Sequence, residues 1–254
     1  MFPSSAAPLN PLTKLTIALC AIAFGFGMVD YGWATGIFLG VLLPWSAWLG
    51  VLRPVLQRVV WVIAPLALFL IPIHSFFHPG TTVLLTIGHF TLTQEGLAYA
   101  YLILSRLAVL ASALLAFSLS TTPAELATTL TQQGVSPAFT YLLISPFQLI
   151  PEVRTKAATI LAAQQARGME TAGNLWQRSR ALVPLVVPLV LGALVDVEER
   201  AMALEARAFR AQGYKTSLVQ IPDSVAQRWF RWGLFGFTVA FVGWSQWQFF
   251  TSRI

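Results

Sequence analysis

Charge is scarce in this sequence: 10% of the 254 residues are charged and 56% are hydrophobic, whereas an ordinary soluble domain carries about 25% charged residues. That balance suits lipid and argues against the one or two soluble domains that length alone would suggest. Cysteine is scarcer still. Cys20 is the single one and lies in the first apolar stretch, which excludes an intramolecular disulfide and a cysteine-based zinc cluster; it reads as packing. No Gly-x-x-x-x-Gly-Lys-Ser/Thr phosphate loop occurs, so this chain is not expected to hydrolyse ATP. Gly25-x-Gly27 lacks a third glycine and falls inside an apolar stretch, so it is no nucleotide fingerprint. Potential nucleophiles and bases are scattered over opposite membrane sides, leaving no catalytic constellation. Met1 to Pro8 hold no basic residue, so a signal-peptide n-region is missing and the first apolar helix is expected to be retained.

What is present in quantity is apolar sequence. A span needs roughly 20 mainly apolar residues, and about five stretches qualify or nearly do: Leu15 to Val29, Gly32 to Leu52, Val59 to Phe77, Leu97 to Leu119 and Phe230 to Phe250. The first two, separated by Asp30 and Tyr31, read as a tight helical hairpin. Trp229, Trp232, Trp244 and Trp247 flank the last as interfacial anchors. The expected fold class is therefore all-α: a polytopic membrane protein with about four spans in residues 1–120, cytoplasmic or interfacial helices in 121–229, and a C-terminal span in 230–254.

The net charge of +6 takes its meaning from where the basic residues lie. With a cytoplasmic N-terminus, Lys14, Arg53 and Arg58 are inside. So are Arg154, Lys156, Arg167, Arg178, Arg180, Arg200, Arg207, Arg210, Lys215, Arg228 and Arg231. Fourteen of the sixteen basic residues thus share one side, with Arg106 intramembrane and Arg253 outside, the asymmetry that the positive-inside rule requires. The charge reads as contact with anionic headgroups, and no nucleic acid is expected. Ala181 to Val195 is apolar but short, interrupted by Pro184 and Pro188 and basic on both flanks. It reads as a helix packed on the spans or half-embedded at the cytoplasmic face.

Between Ser120 and Trp229 the sequence is rich in Ala and Leu and punctuated like a series of helices. Ser120-Thr-Thr-Pro-Ala-Glu125 combines a cap, an N1 proline and a first-turn acid, which predicts a helix from near Pro123 to Gly134. Ser136-Pro137 predicts a second, bent by Pro146 and Pro151 and stopping at Gly168. A third is predicted from Ala181 to about Arg210, with Arg200 and Arg207 on one edge and Glu198 and Glu205 on the opposite one.

Other polar or small residues invite functional readings. Gly32, Gly36 and Gly40 form overlapping Gly-x-x-x-Gly steps, a spacing that admits a close helix, either from this chain or from a partner subunit. Arg106 sits in mid-span, where an unpaired Arg costs about 2.5 to 3.5 kcal/mol, so it should find carbonyls, water or an acid. A structural tie and a transport-path residue are the two readings. No acid lies in the third to fifth spans, and Asp30 and Glu95 fall on outer loops, so a proton relay is not formed. His74 and His78 have metal-capable i, i+4 spacing, with His89 on the same side, but no acid or Cys adjoins the pair; interfacial histidines are the simpler reading and no metal site is expected.

Ala166-Arg167-Gly168 and Ala206-Arg207-Ala208 stand forty residues apart, each at or near the end of a predicted cytoplasmic helix. Together with Asn10-Pro-Leu-Thr-Lys-Leu15, the Thr-Pro-Ala-Glu-Leu, Gln-Gly-Val and Leu-Ile-Pro-Glu segments between Thr121 and Gly168, and Glu-Glu-Arg-Ala-Met-Ala-Leu-Glu-Ala-Arg ending at Arg207, they carry a likeness over nearly the whole chain. The sequence resembles the T component of energy-coupling-factor (ECF) transporters. That resemblance implies a coupling subunit whose two arginines dock into grooves on two ATP-binding cassette ATPase subunits, alongside a small membrane-embedded substrate-binding subunit for a vitamin or metal ion. ATP would be used by those partners, and this chain would bind no cofactor. Two residues depart from the family pattern. Ala208 replaces the usual glycine, so the helix is expected to run on for a turn, and Gln148 stands where many relatives have Arg. The alternative reading is a self-contained secondary transporter, which needs intramembrane acids and an inverted repeat; neither is visible.

Overall fold

A computed structural model describes residues 9–28, 30–77, 80, 82–87, 90–169, 175–209, 211 and 220–251. Helix α1, Pro11–Gly27, starts where Asn10 Oδ1 accepts the Leu12 amide at 3.0 Å and Pro11 needs no amide partner. The second apolar stretch is a broken helix: α2, Trp33–Ile37, a π-turn over Phe38–Leu42, and α3, Leu43–Trp48. Pro44 supplies the reason, since its ring has no amide for the Gly40 carbonyl and would strike it in a regular helix; the wider turn makes room. Helix α3 stops at Gly50, whose φ of +71° suits glycine. Helix α4 then runs from Leu52 to Phe77, starting seven residues before the apolar stretch itself.

The connection that follows α4 departs from the all-helical expectation. Strands β1, Val83–Ile87, and β2, Phe90–Thr93, pair antiparallel with Ile87 opposite Phe90 and an irregularity between Val83 and Leu85. Helix α5, Gln94–Ser120, follows directly, its first turn capped by Thr93 Oγ1 on the Gly96 amide at 3.3 Å. The remaining helices are α6, Pro123–Gln132; α7, Pro137–Ala166; α8, Leu175–Ala206; and α9, Val225–Thr251. Helix α8 begins before Ala181 and carries Pro184 and Pro188 inside it. The apolar run 181–195 is thus the middle of one longer helix and not a separate element.

The chain divides into two units. Unit 1 comprises residues 1–129 and 221–254. Its core gathers Ala18 and Ala21 of α1, Ile37 and Trp45 of the broken helix, Val55 and Val59 of α4, and Val109, Ala113 and Ala116 of α5. Small residues let these helices close up: a Cβ on Gly25 would come within 2.7 Å of Val109 Cγ1, and one on Gly96 within 2.3 Å of the His74 carbonyl. Gly25 and Gly27 are therefore packing positions, and Phe24 adds ring contacts at 4.9 Å to Phe241 and 5.7 Å to Phe237 on α9.

Helices α4 and α5, 26 and 27 residues long, are both long and apolar enough to cross a membrane; 11–27 and 33–48 are shorter apolar helices. Outward-facing Trp61, Leu68 and Phe69 on α4 are 66% to 75% exposed, a surface that lipid tolerates and water does not. Unit 2, residues 130–220, contains α7 and α8. Lys156 pairs with Asp196, Glu152 with Arg200, and Tyr141 meets Phe209 with ring centroids 5.7 Å apart. Numbers rise along α7 as they fall along α8, so the two helices are antiparallel.

Candidate docking site

The two Ala-Arg motifs end their helices in the same way. At α7 the Gly168 amide donates to the Gln165 carbonyl at 2.9 Å and the Met169 amide to the Gln164 carbonyl at 3.1 Å. At α8 the Ala208 amide donates to Glu205 at 2.9 Å and the Phe209 amide to Leu204 at 3.0 Å. This pair of bonds satisfies the last free carbonyls and requires a left-handed residue after the cap. Gly168 takes φ +89° and Ala208 takes φ +53°, the latter being the non-glycine residue with positive φ among the described residues. The extra helical turn expected from Ala208 is therefore not formed: α8 stops at Ala206. An alanine does there what glycine does at 168, at a steric cost of about 1 to 2 kcal/mol.

Both arginines consequently hold the same position, the cap residue between a last helical alanine and a left-handed residue. Ala166, Arg167, Gly168, Ala206, Arg207 and Ala208 are all exposed. Among the described residues neither guanidinium has a side-chain partner, whereas Arg200, on the same edge of α8 as Arg207, is engaged by Glu152. Each cap arginine sits in the negative end of a helix dipole, favourable by about 0.3 to 1 kcal/mol, and presents a planar fork suited to a carboxylate. Because α7 and α8 are antiparallel, the two forks stand at opposite ends of the pair. From Tyr141, beside Phe209, to Arg167 is about 39 Å of helix at 1.5 Å per residue, less the bends at Pro146 and Pro151. An apolar cleft of about 440 Å³ adjoins the Arg207 end, lined by Tyr141, Leu142, Leu204, Ala208 and Phe209 among others.

The cross-helix pairs Lys156–Asp196 and Glu152–Arg200 were not foreseen from sequence. Their signal is a constant sum of residue numbers, visible only once the helices are known to be antiparallel.

In unit 1 no described residue covers the glycine stripe. Gly32, Gly36 and Gly40 are exposed, and a Cβ added to any of them meets nothing within 4 Å. No described helix of this chain uses the close approach that the spacing permits. Arg106 donates Nη2 to the Met28 carbonyl at 2.7 Å and lies 5.7 Å from the Phe26 ring centroid. It thereby satisfies the open C-terminal end of α1, and the ring face offsets part of the cost of its charge. His74 contacts the Leu70 carbonyl at 3.1 Å, and its ring lies tilted against that of Tyr99 with centroids 5.2 Å apart; His78 and His89 lie outside the described residues.

A family model described as CbiQ, cobalt transport protein, matches residues 4–218. The sequence is also similar to the energy-coupling factor transporter transmembrane protein EcfT of several bacteria. It is 32% identical to that of Brevibacillus brevis over 168 residues, covering 63% of this chain and 62% of the relative. Identity is 25% with that of Leuconostoc gelidum subsp. gasicomitatum over 259 residues, covering 94% and 92%. With that of Limosilactobacillus fermentum it is 32% over 185 residues, covering 67% of each.

Proposed function

The chain belongs to the family of CbiQ cobalt transport proteins, the transmembrane T components of energy-coupling-factor transporters, and on that premise we propose that it couples two ATPase subunits to a membrane-embedded substrate-binding subunit during uptake of a vitamin or metal ion. The observation that carries the reading is the equivalence of Arg167 and Arg207: two exposed guanidiniums without a side-chain partner among the described residues, in one capping geometry, at opposite ends of one antiparallel helix pair. By the register of the 152–200 and 156–196 pairs, Arg207 stands opposite Ser145, 22 residues from Arg167, and a separation of about 33 Å suits two separate acidic grooves better than one. ATP is bound and hydrolysed by the partners, and this chain performs no bond chemistry and holds no cofactor. Its N-terminus and helices α6 to α8 are cytoplasmic, and five spans cross the cytoplasmic membrane: α1, the broken helix 33–48, α4, α5 and α9. The open stripe of Gly32, Gly36 and Gly40 receives a helix of the substrate-binding subunit.

The double variant Arg167→Glu, Arg207→Glu tests the docking. It should insert into the membrane normally and fail to co-purify the ATPases, because each new carboxylate repels the acidic groove. Undiminished co-purification refutes the docking role, and uptake that persists without any ATPase speaks for a self-contained transporter.

A further inference from the structure

We propose that the first turn of α1, Asn10 to Lys14, is the anchor through which movement of unit 2 enters the membrane helices; this rests on the coupling function proposed above. Capping α1 takes one oxygen, that of Asn10 on Leu12. Yet Asn10, Thr13 and Lys14 are all buried to within 1%, and lysine is almost never buried without a partner. Apart from the Asn10 side-chain nitrogen, which has no partner among the described residues, the polar groups of this turn reach residues far away in sequence. Lys14 Nζ donates to the carbonyl of Ser120 at 2.7 Å. The Asn10 amide donates to Gln227 Oε1 at 3.1 Å. Arg231 holds Asp223 through two bonds of 2.8 and 3.0 Å and donates to Thr13 Oγ1 at 3.3 Å.

The places that are held share a property. Unit 1 is left by the chain after residue 129 and re-entered at 221. Ser120 ends α5 two residues before Thr122, which shares a capping box with Glu125 at the start of α6: the Thr122 amide donates to Glu125 Oε2 at 3.0 Å and the Glu125 amide to Thr122 Oγ1 at 3.2 Å. Asp223 and Gln227 flank the start of α9. The outgoing and the returning connection are thus both tied to one helical turn, the outgoing one by an ammonium and the returning one by a guanidinium that grips its own carboxylate. Buried, charge-assisted bonds of this kind are short and stiff. A pull on either connection reaches α1 without slack, and α1 passes it on through Gly25 against Val109 of α5 and Phe24 against Phe241 of α9. Residues Asn10 to Lys14 act as positioning residues in this account and touch neither substrate nor nucleotide.

Amide hydrogen exchange on the intact complex tests the inference, with the complex purified through a tag on this chain from its native membrane and measured with and without ATP plus vanadate. In the unmodified complex nucleotide should change exchange both in 137–166 and in 96–116. With Lys14→Met the change in 137–166 should persist while that in 96–116 falls at least about fivefold, since local opening reports the coupling segment by segment. Should Lys14→Met fail to insert, Thr13→Val, which keeps shape and removes the hydroxyl that accepts from Arg231 and donates to Gln227, carries the same test with 230–248 as the readout. A nucleotide-dependent change of unmodified size in the membrane helices overturns the inference. So does exchange raised equally with and without nucleotide, which is what a merely structural role produces. Absence of any nucleotide effect in 137–166 of the unmodified complex removes the coupling function itself.

Discussion

Replacing Ala208 with glycine isolates a single term, the conformational cost of a left-handed alanine at the end of α8. With φ at +53°, the methyl group crowds the following carbonyl by about 1 to 2 kcal/mol. Glycine removes that crowding but brings more chain entropy to lose, about 0.5 to 1 kcal/mol. The difference leaves about 0.5 to 1 kcal/mol in favour of the glycine stop, about twofold to fivefold in the local opening equilibrium. The amides of Ala208 and Phe209, bonded to Glu205 and Leu204, report that equilibrium directly. In Ala208→Gly, hydrogen exchange at positions 208 and 209 should slow by about twofold to fivefold, with no change at the α7 end. Gly168→Ala is the mirror experiment. No atom lies within 4 Å of the added Cβ, so faster exchange at 168 and 169 would reflect backbone strain alone. Unchanged or faster exchange in Ala208→Gly refutes the reasoning, because the left-handed stop would then carry no cost.

Gly25→Leu forces a side chain against Val109, 2.7 Å from the position of a bare Cβ, and should destabilise unit 1 by about 1 to 3 kcal/mol; a thermal melt in detergent shows a lower midpoint, and an unshifted one contradicts the α1–α5 packing. A Cβ at Gly36 has no described atom within 4 Å, so in Gly36→Leu melting should be unchanged while pull-down of the proposed substrate-binding subunit is lost. Retention of that subunit places its contact elsewhere. Lys156→Glu sets like charges together opposite Asp196, and adding Asp196→Lys should recover the loss; both groups are partly exposed, so a double-mutant cycle should give about 0.2 to 1 kcal/mol after solvent screening. Zero coupling would leave the α7–α8 register to apolar contacts.

Much of the helical order was written locally. Ser136-Pro137 opens α7, the Thr122–Glu125 box opens α6, and Gly134 and Gly168 take the left-handed stops expected of them. Helix ends are legible because a cap involves residues within a few positions of one another. Ala208 shows the limit of that logic: alanine favours helix by propensity, and only the bonds to Glu205 and Leu204 overrule it. The hairpin at Val83–Thr93 had a signal, two short runs of β-branched and aromatic residues around Gly88-His89, masked by the apolar spans beside it. The ties of Asn10 and Thr13 to Gln227, more than 200 positions away, were beyond any local pattern. So was the bare glycine stripe, because a spacing specifies how closely a helix could approach and not whether one does.

Antiparallel pairing of α7 and α8 has a mechanical consequence. Two handles at the same end of a rod cannot turn it without also displacing its centre; two handles at opposite ends can. Displacing the Arg167 and Arg207 ends by about 5 Å in opposite directions, over an arm of about 33 Å, turns the pair by about 17° without moving its centre. Displacing both in the same direction translates it and turns nothing. On the proposed docking, two ATPases closing on each other and two ATPases moving in step would therefore deliver different motions to the same helices, and the sense of the rotation would follow from which arginine each one grips.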